Sequence, residues 1–574
     1  MRLVKYKIHL LVLLGLIILN LAFFAINLND FFVSDDFDWL YLTKTSEQPL
    51  WQYFATNYYG EQGMGGSYRP MFNLIFSLNY NLFGLNPFGY HLFGLIFHIG
   101  VCFLVYLLAL QLFSKFKDKQ NIAILAAVFF SLLPNHSEAV IWIAAIGDPL
   151  ATFFYLLAFY LYILYRQKKN FTCLIISLLS FIIVLLTKEI AITLPLLILV
   201  WELYQYISGK QGFYALFGNK AQAQGPELPR VKVVLKNILF YHLGYWLLLV
   251  LYFVIRYSAI GLIWGYYASD KFKLDIGKIF SMFVSLITNL LFYEKLRIVV
   301  TQFFITNSFF FIFLIILIVV LILIILNKKW LKAAFLIDSY FVLILPVLFL
   351  SFNFFTDEGE RYNYLPSVVF CILLSLLICQ IKKDRVLRSL VITAFIIYFS
   401  VILINKNLTW QTASQISQQI IKQDIEQIID TVPEQAKLMF VGLPDNYQGA
   451  QVLRNGVKQA IDLYYPENQF ALEPLNVYLR LNKQLKDAKI LYWGPYETGG
   501  YIAETFDQKN WVTGFATKQT PDYIWELWGY DYDNYTTNQI RLIFKDEQGS
   551  FIPAGKEGWH VIIYNQGHLQ ILAK

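Results

Sequence analysis

The chain has 574 residues, of which 57% are hydrophobic and 15% charged, and its formal net charge is +7. This balance excludes an ordinary soluble domain, because apolar stretches of about 20 residues recur and each can cross a hydrocarbon core of about 30 Å. It also excludes a nucleic-acid face, since most basic residues fall in short runs between the apolar stretches.

Eleven membrane spans are predicted, at roughly 8–28, 89–113, 121–134, 149–165, 171–187, 190–206, 236–257, 307–327, 334–352, 364–381 and 387–404. The first follows Arg2, Lys5 and Lys7 and lacks a small-residue cleavage pattern, so it reads as a retained anchor. Further basic runs follow spans two (Lys115, Lys117, Lys119), four (Arg166, Lys168, Lys169), six (Lys210, Lys220, Arg230, Lys232, Lys236), eight (Lys328, Lys329, Lys332) and ten (Lys382, Lys383, Arg385). With a cytoplasmic N-terminus, all six basic runs lie inside, as the positive-inside rule requires. The lysine-bearing segment 258–306 would lie outside and is the exception; within it Ile279–Leu291 reads as an interfacial helix. The four cysteines, Cys102, Cys173, Cys371 and Cys379, sit in apolar runs and read as small buried hydrophobes rather than a disulfide framework.

Carboxylates gather on the side opposite the basic runs: Asp35, Asp36 and Asp38 after the first span, then Glu138, Asp148, Glu189 and Asp357/Glu358/Glu360. Polar groups collected at one rim of a bundle suggest a site there, although an ordinary solvated loop reads the same way. The first outer loop, 29–88, is long, and its Gly63–Gly66 stretch suggests a turn between interfacial helices. Past span eleven the composition changes. Residues 405–430 are rich in Gln and Ile and read as an amphipathic linker helix. Residues 431–574 predict an extracytoplasmic α/β domain, with strands near 437–443 and 488–493, a helix over about 450–463, and turns at 546–550 and 565–567. Trp525, Trp528, Tyr530 and Tyr532 could stack on a sugar ring or pack in a core.

Four segments carry a family resemblance: Phe32-Val33-Ser34-Asp35-Asp36; Tyr68-Arg69-Pro70 running on to Leu85–Leu92 and His98; Leu133–Trp142 with Asp148; and Thr187-Lys188-Glu189 paired with Glu360–Ser367. In this order and spacing the chain resembles the polytopic glycosyltransferases of the GT-C superfamily. Within it, the chain is most similar to transmembrane O-mannosyltransferase-like proteins and their bacterial relatives without tetratricopeptide repeats. The resemblance implies residues 1–404 as a GT-C-like domain that transfers a sugar from a polyprenyl-phosphate donor on the outer face. It implies a catalytic carboxylate in the first-loop acidic pair and lipid-phosphate contacts from the basic and Lys-Glu motifs. The C-terminal third departs from the repeat-bearing members and leaves the acceptor, whether protein, glycan or lipid, open.

Inverting transfer needs a base at the acceptor hydroxyl and cations at the leaving phosphate. Asp35 or Asp36 can serve as base, with Glu138 and Asp148 as further catalytic carboxylates. Glu138 also reads as a surface acid beside His136, and Asp148 before Pro149 as a helix N-cap. Arg69, Lys188 and Arg361 are the phosphate candidates, with Glu189, His91 and Tyr362 beside them; Arg361 could instead be held by its acidic neighbours. His91 and His98 share a helix face, which suits packing as well as a ligand role. No His/Cys cluster has zinc spacing. No cofactor is required, though a divalent ion (Mg or Mn) between Asp36 and Glu138 would suit the carboxylates. With no nucleotide-binding glycine loop, a lipid-linked donor fits better than a nucleotide sugar.

An oligosaccharide ligase or polymerase would share this topology. A transporter would place charges in mid-span, often with inverted repeats, and a non-catalytic envelope subunit would not need the acidic pair. The expected setting is a bacterial plasma membrane, with the N-terminus cytoplasmic and the C-terminal domain outside. Cysteines introduced at Gly65 and Asn565 are therefore expected to react with a membrane-impermeant thiol reagent on intact spheroplasts, and one at Lys329 to be protected; the reverse pattern would invert the topology.

Overall fold

The computed structural model describes residues 2–57, 67–208, 231–263, 275–326, 330–350, 358–381, 384–433, 436–467 and, beyond these, strand-bearing segments between 470 and 573. The Gly63–Gly66 stretch, Asp357, Lys329, Tyr530, Tyr532 and the side chain of Trp528 fall outside this description.

Seven helices among the described residues are long and apolar enough to cross a membrane: Lys7–Asn27, Pro87–Leu112, Ile143–Lys168, Glu189–Ser208, His242–Ile260, Ser308–Leu326 and Arg385–Thr431. An eighth crossing results if Lys119–Leu132 and Pro134–Ile141 count as one. The chain is an integral membrane protein built on this bundle. Three of the expected spans are shorter helices, Phe171–Leu185, Trp330–Ile344 and Ser367–Ile378, of 15, 15 and 12 residues. At about 1.5 Å per residue they run about 22 Å or less, short of the hydrocarbon thickness. Polar turns replace part of the missing helix: the 3-10 segment Glu189–Thr193 follows Phe171–Leu185, and Glu360–Asn363 precedes Ser367–Ile378.

Pro134 creates a third such turn. The bent pair meets at 58°, and Leu133, just before the proline, is extended (φ −67°, ψ 120°). Proline clashes with a helical residue before it and has no N–H to donate, so the helix ends there. The short helix Ser137–Ile141 then carries Glu138 into the protein.

The predicted boundary at 404/405 is not a break. Arg385–Gln419 is one helix of 35 residues, continued by a π turn at Ile420–Asp424 and the helix Ile425–Thr431. One face of this rod braces the first outer loop. Ser417 Oγ donates to Phe32 O (2.7 Å), Phe31 N donates to Ser414 Oγ, and Asn27 Nδ2 donates to Asn407 O (3.0 Å). Asn407 Oδ1 also accepts from Ser137 Oγ at 2.7 Å, tying the Glu138 helix to the same rod.

The C-terminal domain is richer in strand than the sequence predicts. Its described strands form sheets of four, six and five strands, with one helix, Val457–Tyr464. In the four-stranded sheet, Lys437–Val441 is central and parallel to both Trp559–Asn565 and Ala471–Pro474. The 565–567 turn closes a two-residue hairpin in which Asn565 pairs with His568 and both Gln566 (φ 52°) and Gly567 (φ 85°) are left-handed, as such loops require. Trp525 is fully buried and packs in the domain core rather than presenting a ring to a sugar.

The helix expected over 450–463 starts only at Val457, because Gly456 turns with φ +80° against the first outer loop. A Cβ at Gly456 would lie 2.5 Å from Ser34 O and 2.9 Å from Phe37 Cβ. Gly456→Ala is therefore expected to destabilise the protein by about 2 kcal/mol or more, read as a lower melting temperature in detergent. An unchanged melting temperature would contradict the close packing of domain and loop.

Candidate active site

The first-loop acids sit at the start of the helix Asp35–Thr45, whose preceding residue Ser34 has the unusual backbone φ 46°, ψ −122°. That turn separates the two leading acids. Asp36 is 1% exposed; its Oδ2 accepts from Val33 N (2.9 Å) and its Oδ1 from Ala144 N (2.7 Å). Burial pushes its pKa well above the usual carboxylate range, against these two hydrogen bonds. A carboxyl group held on both oxygens fixes the helix start to the Ile143–Ala145 turn. Asp35 points elsewhere. Its Oδ1 accepts from Asn455 Nδ2 (2.7 Å) and Ser34 Oγ (3.4 Å), and among the described residues its other oxygen has no hydrogen bond. Asp38 shares the Asp35 face one turn on; burial, and secondly the charge of Asp35, push its pKa up to about 7.

Glu138 is 3% exposed and is gripped by the Glu360–Asn363 turn. Its Oε1 accepts from Gly359 N (3.2 Å) and from the Arg361 guanidinium, and its Oε2 from Arg361 N (2.9 Å). Gly359, at φ 86°, lets the turn present those two N–H groups together. The guanidinium lies 4.6 Å above the Trp142 ring and 5.3 Å from that of Tyr362. Burial opposes its charge, but Glu138, Tyr362, Asp148 and Asp35, in that order, outweigh burial and raise its pKa. Arg361 thus lies within electrostatic reach of both Asp35 and Asp148.

Asp148 is not the cap expected before Pro149. The helix starts at Gly147 after Ile146, and Asp148 in its first turn takes the Lys188 ammonium instead. Burial lowers the Lys188 pKa; Asp148 opposes that shift, while Arg69 and Arg361 add to it. Next to Lys188, Glu189 accepts from Arg69 Nε (3.0 Å) and Nη2 (2.8 Å). The structure therefore brings Asp35, Glu138, Asp148, Arg69, Lys188, Glu189, Arg361 and Tyr362 to one rim, although they span more than 300 positions of sequence.

Two expected residues have other places. Asp36 is held as described. His91 is buried, with Nε2 2.9 Å from Asp30 O, so it anchors the first loop from below. His98 likewise packs inside, with Nδ1 2.6 Å from Tyr364 Oη. Three participants were missed. Arg256 is 1% exposed; its Nη1 lies 3.6 Å from Glu189 Oε1 and donates to Tyr252 Oη (3.0 Å), while Nε and Nη2 have no hydrogen-bond partner among the described residues. The signal was a lone arginine near the end of an apolar span. Lys406 pairs with Glu360 behind the Arg361 turn, on a stretch of the rod read as linker. Asn455 lies in the C-terminal domain and carried no local signal.

Asp36 and Glu138 do not fit a divalent ion between them. Each of their oxygens accepts an N–H group, and Glu138 already faces a guanidinium. Among the described residues no group of three or more His, Cys, Asp or Glu side chains could hold a metal ion.

The fold and site are those of a polytopic membrane protein with a charged rim assembled from separate loops. No protein-family model matches the chain. It is similar to protein O-mannosyl-transferase Tmtc1 of Drosophila melanogaster, 33% identical over 158 residues, covering 27% of this chain and 18% of that protein. Protein O-mannosyl-transferase TMTC3 of Mus musculus is 31% identical over 163 residues (27% and 17%), and TMTC1 of Homo sapiens 30% over 201 residues (31% and 22%). The matches thus span about a fifth of these relatives' length. Among solved structures, archaeal oligosaccharyltransferase AglB from Archaeoglobus fulgidus, in complex with an inhibitory peptide and a dolichol-phosphate, aligns with a TM-score of 0.44 at 10% identity, covering 82% of this chain and 65% of that one. ArnT from Cupriavidus metallidurans in the apo state aligns with a TM-score of 0.39 at 10% identity, covering 83% and 96%.

The different settings of the two leading acids are open to test. Asp36→Ala strands two backbone N–H groups and is expected to cost about 2–4 kcal/mol of stability. Asp35→Ala, at a half-exposed position, is expected to cost less than about 1 kcal/mol. Equal losses in melting temperature would contradict this division.

Proposed function

We propose that the protein is an inverting glycosyltransferase that moves a sugar from a polyprenyl-phosphate carrier to an acceptor hydroxyl at the outer face of the membrane. In this reading the three shorter helices complete eleven crossings, which put the charged rim and the C-terminal domain outside. The observation that carries the proposal is the convergence of one open carboxylate, Asp35, with a cluster of paired cations supplied by separate loops.

The charges of that cluster suit the substrate. Arg69, Lys188, Arg256 and Arg361 stand against Glu138, Asp148 and Glu189, so the cations exceed the carboxylates paired with them by one, Asp35 set apart. A sugar–phosphate–lipid diester carries a single negative charge. Its phosphate can be received by the cation cluster while the lipid tail stays in the bilayer. Asp35 then accepts the acceptor's hydroxyl proton as the acceptor oxygen bonds to the sugar C1. The bond from C1 to the phosphate oxygen breaks, and its electron pair stays on the phosphate. Negative charge moves from Asp35 to the leaving phosphate, toward the cations, which is the direction that lowers the barrier. The Nε and Nη2 of Arg256, without a hydrogen-bond partner among the described residues, are further donors for the same phosphate. The acceptor is a hydroxyl on protein, glycan or lipid; similarity to protein O-mannosyl-transferases supports a protein among these.

Asp35→Asn is expected to leave the protein folded and to lower transfer by about 10²–10⁴-fold. Lys188→Gln and Arg361→Ala are expected to lower transfer, and Arg361→Ala also to weaken binding of a glycosylated polyprenyl phosphate. Near-normal turnover in Asp35→Asn would remove the base from this account; unchanged binding and transfer in both cation variants would remove the phosphate site.

A further inference from the structure

The C-terminal domain is the part of the chain furthest from the family resemblance, yet one of its segments touches the proposed base. Leu443–Gly456 folds as two short strands and a turn directly over the start of the first-loop helix. Val452 O accepts from Ser34 N at 2.8 Å, and Asn455 N donates to Ser34 Oγ at 3.3 Å. Asn455 Nδ2 donates to Asp35 Oδ1 at 2.7 Å. The same segment reaches the other side of the site. Arg454 is held between Asp445 and Glu358, with Nη2 at 2.7 Å from Asp445 Oδ2 and 2.6 Å from Glu358 Oε1. Asn446 Nδ2 adds a bond to Glu358 Oε1 at 3.1 Å. Glu358 immediately precedes Gly359, whose N–H grips Glu138 at the head of the Arg361 turn. Segment 443–456 therefore spans from the carboxylate to the cation turn.

Resting on the reading of Asp35 as base, we infer that the C-terminal domain completes the active site, with Asn455 as a positioning residue that aims Asp35. An amide N–H on one carboxylate oxygen fixes the plane of the group. The second oxygen is then left to meet the acceptor hydroxyl. The carboxylate is thus presented under a ledge of the C-terminal domain, and acceptors must enter between that ledge and the membrane rim.

Transfer by wild type, Asn455→Ala, Asn455→Asp and Asp35→Asn is measured with a synthetic polyprenyl-phosphate sugar, together with donor binding and melting temperature. Loss of the amide donor leaves the plane of the carboxylate unfixed, so kcat in Asn455→Ala is expected to fall about tenfold while KM for the donor is unchanged. Asn455→Asp, which replaces the donor with a like charge, is expected to lose at least as much. Donor binding and melting temperature stay near the wild-type values in both. An unchanged kcat in both variants, or a loss that appears in donor binding or melting temperature instead, overturns the inference. If kcat is unchanged in both while Asp35→Asn is inactive, only the role of Asn455 falls; if Asp35→Asn turns over normally, the base itself is misassigned.

Discussion

A carboxylate buried where water meets lipid must be given positive charge and N–H donors, or it does not stay charged. Glu138 is the carboxylate on which this site depends. Three donors from one turn satisfy it, and in doing so they place the Arg361 guanidinium over Trp142. Breaking a buried pair of this kind is costly, about 3–5 kcal/mol, because the remaining charge is stranded. The pair therefore fixes the geometry of the rim more than it adds net stability. Pro134 delivers Glu138, Gly359 permits the receiving turn, and Lys406 holds the turn from behind through Glu360.

The remaining rim charges follow the same rule, since each cation sits beside a carboxylate from a different segment: Lys188 with Asp148, and Arg69 and Arg256 with Glu189. Such a lattice keeps cations in place in a poorly hydrated setting. The loop that carries Asp35 is held differently, by hydrogen bonds with uncharged groups of the long rod and of the C-terminal domain. Asp35 is thus positioned by one set of interactions and the rim cations by another, and segment 443–456 joins the two.

Much of this was legible in the sequence because it rests on local rules. Apolar run length gave the long helices, and the sorting of charges gave a single acid-rich rim that includes Asp35, Glu138, Asp148, Lys188 and Arg361. Span count was less legible: where a polar turn takes over the end of a span, as at Lys188-Glu189 and Glu360–Asn363, hydropathy continues but the helix does not. Asp35 and Asp36 could not be told apart, because their difference arises from the left-handed Ser34 and from Ala144, more than a hundred residues away. His91 reads as a packed histidine with a backbone partner or as a substrate contact; its partner is the Asp30 carbonyl, from another segment of the chain. Asn455 was invisible for the same reason, since its meaning lies in a contact across 420 residues.

The central claim concerns the donor. Purified protein in liposomes, supplied with an acceptor extract and a panel of polyprenyl-phosphate-linked sugars, is expected to consume one of them and release free polyprenyl phosphate, with no turnover of nucleotide sugars in the absence of lipid carrier. Direct use of a nucleotide sugar under those conditions, with the lipid-linked donors left intact, would contradict it.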